Sequence, residues 1–180
     1  MAKQNLIIIR GNSGSGKTTV AKALREAMRE KYGKGGTMLV SQDTIRIDIL
    51  DVKDTSDNES IALIREICRY GLQIGKNVIL DGILDRWKYG EMLTALIEEW
   101  GDGVHVYYFD VPLEVTLERH DMRPQKDVFS KDDMRGWYNT DNKLNLPDEQ
   151  IFDENISVEE AVVQILTDCV GELEAHHDKS

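Results

Sequence analysis

Eight residues constrain this chain more than any others: Gly11-Asn12-Ser13-Gly14-Ser15-Gly16-Lys17-Thr18. They follow a short unbroken apolar run, Leu6 to Ile9. After them Val20, Leu24, Ala27 and Met28 recur at helical spacing until Gly33 stops the pattern. An apolar run of that length suits a strand buried on both faces. Glycines let the intervening turn adopt backbone conformations closed to other residues. A strand, a glycine-rich turn and a helix in direct succession commit this region to an α/β unit whose strand lies inside a sheet.

The rest of the chain continues the alternation. Short apolar runs predict further strands at 38–40, 78–80 and 104–109, with a fifth at Ile151-Phe152. Helical spacing predicts helices over 61–72 and 92–100, and a short one over 44–50. Pro112 suits the first turn of a helix that runs to Arg123 before Pro124. Ser130 with Asp133, and Ser157 with Glu160, have the spacing of capping boxes for two more. Residues 51–59 and 139–149 read as polar loops. With 180 residues and no dividing linker, a single domain over 1–180 is expected.

Charge narrows the ligand. Lys and Arg number 22 against 33 Asp and Glu, a net charge of −11. A chain that coats nucleic acid or an anionic membrane needs a basic footprint. Extended nucleic-acid binding is therefore not expected, whereas a small anion held by a local site is. No apolar stretch approaches the ~20 residues of a membrane span. Cys68 and Cys169 stand far apart and outside any CxxC pattern, as expected of two core thiols in a cytoplasmic protein.

The residue types in the Gly11–Thr18 stretch answer to the chemistry of phosphate. Glycines allow backbone N–H groups to curl around phosphate oxygens, and the following helix adds its partial positive charge. Lys17 reaches the β- and γ-phosphates, and the Thr18 hydroxyl suits Mg²⁺. In a parallel sheet, ligands bind beyond the carboxyl ends of the strands. Asp43 follows the second strand, on the edge where the phosphate turn lies, and a carboxylate there can accept a proton from an attacking hydroxyl. Arg46, one turn on, suits an anionic group of an acceptor. An Asp in that place also caps a short helix, and the residues alone leave both roles open. Asp81 follows the third strand and has the form of a carboxylate that supports Mg²⁺. Asp110, after the fourth, reads as the entry to the next helix. Arg119 and Arg123 are four apart on one helical face. Trp87 is a candidate for stacking on a ligand, with core packing expected to prevail.

The Gly11–Thr18 stretch resembles the phosphate loop of the P-loop NTPases. No guanine-reading NKxD tetrapeptide occurs, which favours ATP over GTP. With Asp43-Thr44-Ile45-Arg46, Asp81, and Val111-Pro112-Leu113 followed by Arg119 and Arg123, the chain resembles one branch of the P-loop kinases. That branch holds polynucleotide 5′-kinases, zeta-toxin-like kinases, chloramphenicol phosphotransferase and gluconate-kinase-like enzymes, near the adenylate kinase group. The resemblance implies an α/β, adenylate-kinase-like fold: a five-stranded parallel sheet of order 2-3-1-4-5 flanked by helices, with a short lid at about 121–138. It implies ATP and Mg²⁺ as cofactors and a hydroxyl acceptor, either a small molecule or nucleotide or the 5′-hydroxyl of a short nucleic acid. By the same resemblance, Gly11, Asn12, Ser13, Gly14, Ser15, Gly16, Lys17, Thr18 and Thr19 hold the nucleotide with Arg119 and Arg123. Thr18 and Asp81 hold the metal. Asp43 activates the acceptor, and Arg46 and Arg86 orient it. Lys17, Asp43 and Arg123 form the catalytic set. A nucleotide-dependent ATPase switch or binding module is the alternative. A cavity beyond Asp43, lined by Arg46 and Arg86, is the arrangement expected of a kinase.

Overall fold

A computed structural model describes residues 4–121 and 130–177, with side chains described through 169. Five parallel strands form one sheet: β1 (Leu6–Gly11), β2 (Thr37–Ser41), β3 (Asn77–Gly82), β4 (Val104–Phe109) and β5 (Glu149–Phe152). Their order is β2-β3-β1-β4-β5, the expected one. The main helices are α1 (Lys17–Tyr32), α2 (Ser60–Gln73), α3 (Arg86–Trp100), α4 (Leu113–Asp121), α5 (Lys131–Trp137) and α6 (Val158–His177).

The period of two along β1 explains the layering. Leu6 and Ile8 face one side and join Leu80, Ile64, Cys68 and Leu93 under α2 and α3. Ile7 and Ile9 face the other and join Val20, Leu24, Phe109, Ile165 and Cys169 under α1 and α6. The two cysteines are therefore buried, free thiols on opposite faces of the sheet. Burial pushes the Cys68 thiol up to about 12, as expected of an inert core cysteine. Among the described residues, no helix is long and apolar enough to cross a membrane.

Arg10 has the same parity as Leu6 and Ile8, so its side chain enters the α2/α3 layer, where it is fully buried. Its terminal nitrogens reach four oxygen acceptors: Asn142 O (2.6 Å), Asn142 Oδ1 (3.1 Å), Glu149 Oε1 (3.1 Å) and Leu84 O (2.7 Å). The guanidinium also lies 5.3 Å from the centre of the Tyr108 ring. Burial pulls Arg10 below its ordinary value, and Glu149 is the main opposing influence. Residues 139–149, read from sequence as a polar loop, are thus bolted to the core, with Asn142 fully buried. The sequence signal was there to be used: a charge closing an apolar strand must bring its own partners.

The elements depart from expectation in a few places. Strand β3 continues through Asp81 and Gly82, so Asp81 lies within the sheet, paired in register with Ile9 and Ser41. Helix α3 begins at Arg86, earlier than the expected stripe from Met92: Asp85 caps it by accepting from the Trp87 N–H (2.9 Å), and the fully buried Tyr89 opens its apolar face. Trp87 is consequently exposed (66%), contrary to core packing, with the Arg86 guanidinium 4.4 Å from its ring centre. Both expected capping boxes form, at Ser130 with Asp133 and at Ser157 with Glu160. Part of the expected lid, including Arg123, lies outside the described residues.

Replacing Arg10 by Met would leave the Glu149 carboxylate and Asn142 buried without their partner. The expected loss is about 3–5 kcal/mol, the usual consequence of breaking a buried ion pair from one side. Urea denaturation measures it, and the double change R10M/E149L should recover part of the loss.

Candidate functional site: a phosphate loop at the centre of the sheet edge

β1 is the central strand, so the loop that follows it opens where the connections to β2 and from β4 diverge. Gly14 and Gly16 hold the left-handed region, with φ of 83° and 98°. A Cβ on Gly11 would stand 2.8 Å from Phe109 O, and one on Gly14 3.0 Å from Thr116. Only glycine lets the loop settle this closely on β4 and α4. The Ser15 N–H donates to Asn12 O (3.3 Å), which closes the turn. α1 then starts at Lys17, and N–H groups in a helix's first turn have no intrahelical acceptor. Lys17 is buried, with Nζ donating to Asn12 O at 3.2 Å, while Thr18 and Thr19 are exposed beside it.

Asp81 lies below this loop, 3% exposed. Burial raises its pKa. Lys17 and a hydrogen bond from Thr18 oppose that rise, while the Asp43 charge adds to it. Asp81 is paired in register with Ile9, just before the loop, and with Ser41, two residues before Asp43, so these groups share one edge of the sheet. Asp81 Oδ1 is buried with no hydrogen-bond partner. A buried carboxylate oxygen left open beside a threonine hydroxyl is a donor pair suited to a hard cation such as Mg²⁺, whose other ligands would come from phosphate and water.

The acceptor side is built from the segment after β2. Asp43 follows that strand by two residues, at the start of the next helical turn, but its side chain makes no capping hydrogen bond. The Ser41 hydroxyl accepts the Thr44 N–H instead (3.3 Å). The Asp43 carboxylate is exposed and pairs with Arg46 at 3.3 Å, while a second Arg46 nitrogen donates to Val52 O (3.2 Å). The capping role for Asp43 is therefore overturned, and the shared face with Arg46 is found. Arg86 begins α3 and is turned toward residues 139–149, bonding Asp141 Oδ1 (3.0 Å) and Lys143 O (3.2 Å).

Arg119 lies on the other flank of the loop. It donates to Ser15 O (2.9 Å) and Glu154 O (2.8 Å). With Gly16, Thr19, Phe109, Ile156 and Ser157 it lines a cavity of about 350 Å³. Two other cavities, of about 1100 and 530 Å³, lie away from the loop. None of the three is lined by Asp43, Arg46 or Arg86. Asp110, read as a helix entry, pairs with Lys143 at 2.6 Å. Lys131 and Arg135 are held by Asp121 and Asp132, at 2.6 and 2.7 Å. Sequence reasoning missed the use made of Asn12. Its side chain donates to Asn139 O (2.9 Å) and accepts from the Asn139 N–H (3.0 Å), which ties the loop to the segment after α5.

A family model described as an AAA domain matches residues 6–138, and the chain belongs to that family. Its fold is that of the P-loop kinases. The APS kinase of Mycobacterium tuberculosis, solved with AMPPNP and APS, superposes with a TM-score of 0.74 at 17% identity, covering 93% of this chain and 98% of that one. A gluconokinase from Sinorhizobium meliloti 1021 gives 0.66 at 20% identity, over 99% and 98%. A sugar kinase from Janibacter sp. gives 0.60 at 18%, over 91% and 93%.

Asp81→Asn removes a buried charge that the free protein must desolvate. It should stabilise the ligand-free chain by about 1–3 kcal/mol and weaken the extra thermal stabilisation that Mg²⁺ adds to ATP. Melting curves with ATP, with and without Mg²⁺, read both effects.

Proposed function

We propose that this protein is an ATP-dependent kinase that transfers the γ-phosphoryl group to a hydroxyl of a small molecule or nucleotide. The observation that carries this reading is the placement of Asp43. Its carboxylate is exposed, makes no capping hydrogen bond, and follows by two residues Ser41, the residue of β2 that is paired in register with Asp81. The fold shared with APS kinase, gluconokinase and a sugar kinase supports it.

In this reading the Gly14–Thr18 amides and Lys17 hold the β- and γ-phosphates, with Asn12 shaping the loop from behind. Thr18 and Asp81 hold Mg²⁺, which neutralises charge on the phosphates. Arg119 and the cavity beside it take the nucleoside side of ATP, and Arg123 joins it from the lid. Arg46, with Arg86, orients the acceptor. The acceptor oxygen attacks the γ-phosphorus, the bond to the β–γ bridging oxygen breaks, and ADP leaves. Asp43 takes the hydroxyl proton. Positioning and charge stabilisation supply the rate, with no covalent intermediate on the protein. Two free thiols on opposite faces of the sheet suit a reducing, cytoplasmic setting.

The test is incubation with γ-labelled ATP and a panel of sugars, nucleosides, aminoglycosides and 5′-hydroxyl oligonucleotides. Label should move to one acceptor class. Label found only in inorganic phosphate, with every acceptor, would replace this reading with a nucleotide-hydrolysing switch. Once an acceptor is known, Asp43→Asn should lower kcat by about 10²–10⁴-fold with ATP affinity nearly unchanged. Full turnover by D43N removes Asp43 from the mechanism.

A further inference from the structure

Three links, made by four hydrogen bonds, run in series from the phosphate loop to the start of α3. Asn12 is clasped at both ends of its side-chain amide by the backbone of Asn139. The Asn139 Nδ2 donates to Asp85 Oδ2 at 2.9 Å. The other Asp85 oxygen accepts the Trp87 N–H at 2.9 Å and so caps α3. The residue between them, Arg86, donates its own N–H to Asn142 Oδ1 at 2.7 Å. The Asn12–Asn139–Asp85 bonds are partly buried, so water competes for them less than it would on an open surface. The strand beneath is fixed by Arg10, which holds both Asn142 and Leu84. Leu84 itself sits in the left-handed region with φ of 46°. The β3–α3 turn is therefore held in one arrangement by contacts rather than by its own preference.

We infer that Asn139 is a positioning residue that couples the nucleotide loop to the acceptor side, through its side-chain bond to Asp85. This rests on the nucleotide-binding part of the proposed function. A nucleotide that fixes the loop fixes Asn12, and with it Asn139. The Asn139 side chain then holds Asp85 and the first turn of α3, which carries Arg86. Asn139 also has a local role: its Oδ1 accepts the Asp141 N–H at 2.9 Å. That bond shapes the turn and uses the oxygen, whereas the link to Asp85 uses the amide nitrogen. The two roles can therefore be separated.

Asn139→Asp keeps the oxygen that accepts from Asp141 and replaces the donor facing Asp85 with a like charge. The double change N139D/D85N restores one N–H···O bond between the two side chains, with donor and acceptor exchanged, and keeps an oxygen to cap α3. Amide hydrogen exchange is followed in the free proteins and at saturation with Mg·AMPPNP. In the parent chain, nucleotide should slow exchange at residues 11–19 and also at residues 84–90, the latter by about fivefold, the low end of coupling between sites. In N139D the slowing at 11–19 should persist while that at 84–90 is lost, and the double change should return it. A merely structural role for Asn139 would not be rescued by the exchange of donor and acceptor. Slowing confined to 11–19 in the parent, full slowing at 84–90 in N139D, or no recovery in the double change overturns the coupling. No slowing in either region of the parent overturns the nucleotide reading itself, and this inference with it.

Discussion

The buried guanidinium of Arg10 is the interaction on which the edge carrying the phosphate loop depends. A charge with no exposure to water is stable only where it is paired and hydrogen-bonded. Here four acceptor contacts come from two separate pieces of chain: Leu84 after β3, and the 139–149 segment through Asn142 and Glu149. Those pieces are distant in sequence, and nothing in their own propensities would gather them. Arg10 adjoins Gly11, so the same residue that gathers them also fixes where the phosphate loop begins. The loop's close seating on Phe109 and Thr116 fixes it from the opposite face. The turn is thus held from both sides of the sheet before any ligand arrives.

The sequence made much of this legible, for physical reasons that differ by element. β1 and α1 could be read because a fully buried strand is a continuous apolar run and a one-sided helix has a 3.6-residue period. The Gly11–Thr18 loop could be read because its glycines answer to backbone conformations that only glycine takes freely. Asp81 could be picked out as the polar residue closing β3. The first turns of α3 could not be read, because Tyr89 is their one fully buried side chain, set among the partly or fully exposed Arg86, Trp87, Lys88 and Glu91. Trp87 was misplaced for the same reason, since its exposure depends on where that helix starts. The segment 139–149 was opaque because its order comes from Arg10, Asn12, Asp85 and Asp110, each more than fifty residues or many turns of chain away. Local pattern carries no record of partners supplied by tertiary contacts.

On the proposed function, a chain of net charge −11 holds a polyanion and must keep its cations in place without cancelling them. The four described cations assigned to that site meet this demand in one way. Lys17 donates to Asn12 O. Arg119 donates to Ser15 O and Glu154 O. Arg46 donates to Val52 O as well as to Asp43, and Arg86 to Lys143 O as well as to Asp141. Each is therefore anchored to a backbone carbonyl, which orients the cation but carries no net charge. The carboxylates that also pair with Arg46 and Arg86 are exposed, and exposed pairs contribute little. An incoming phosphate or anionic acceptor would exchange with carbonyls and weak surface pairs and would leave the buried Arg10–Glu149 pair intact. The division of labour follows from burial. Among the described residues, the fully buried and paired Arg10 serves the fold, and the cations anchored to carbonyls are those that the proposed function assigns to a ligand.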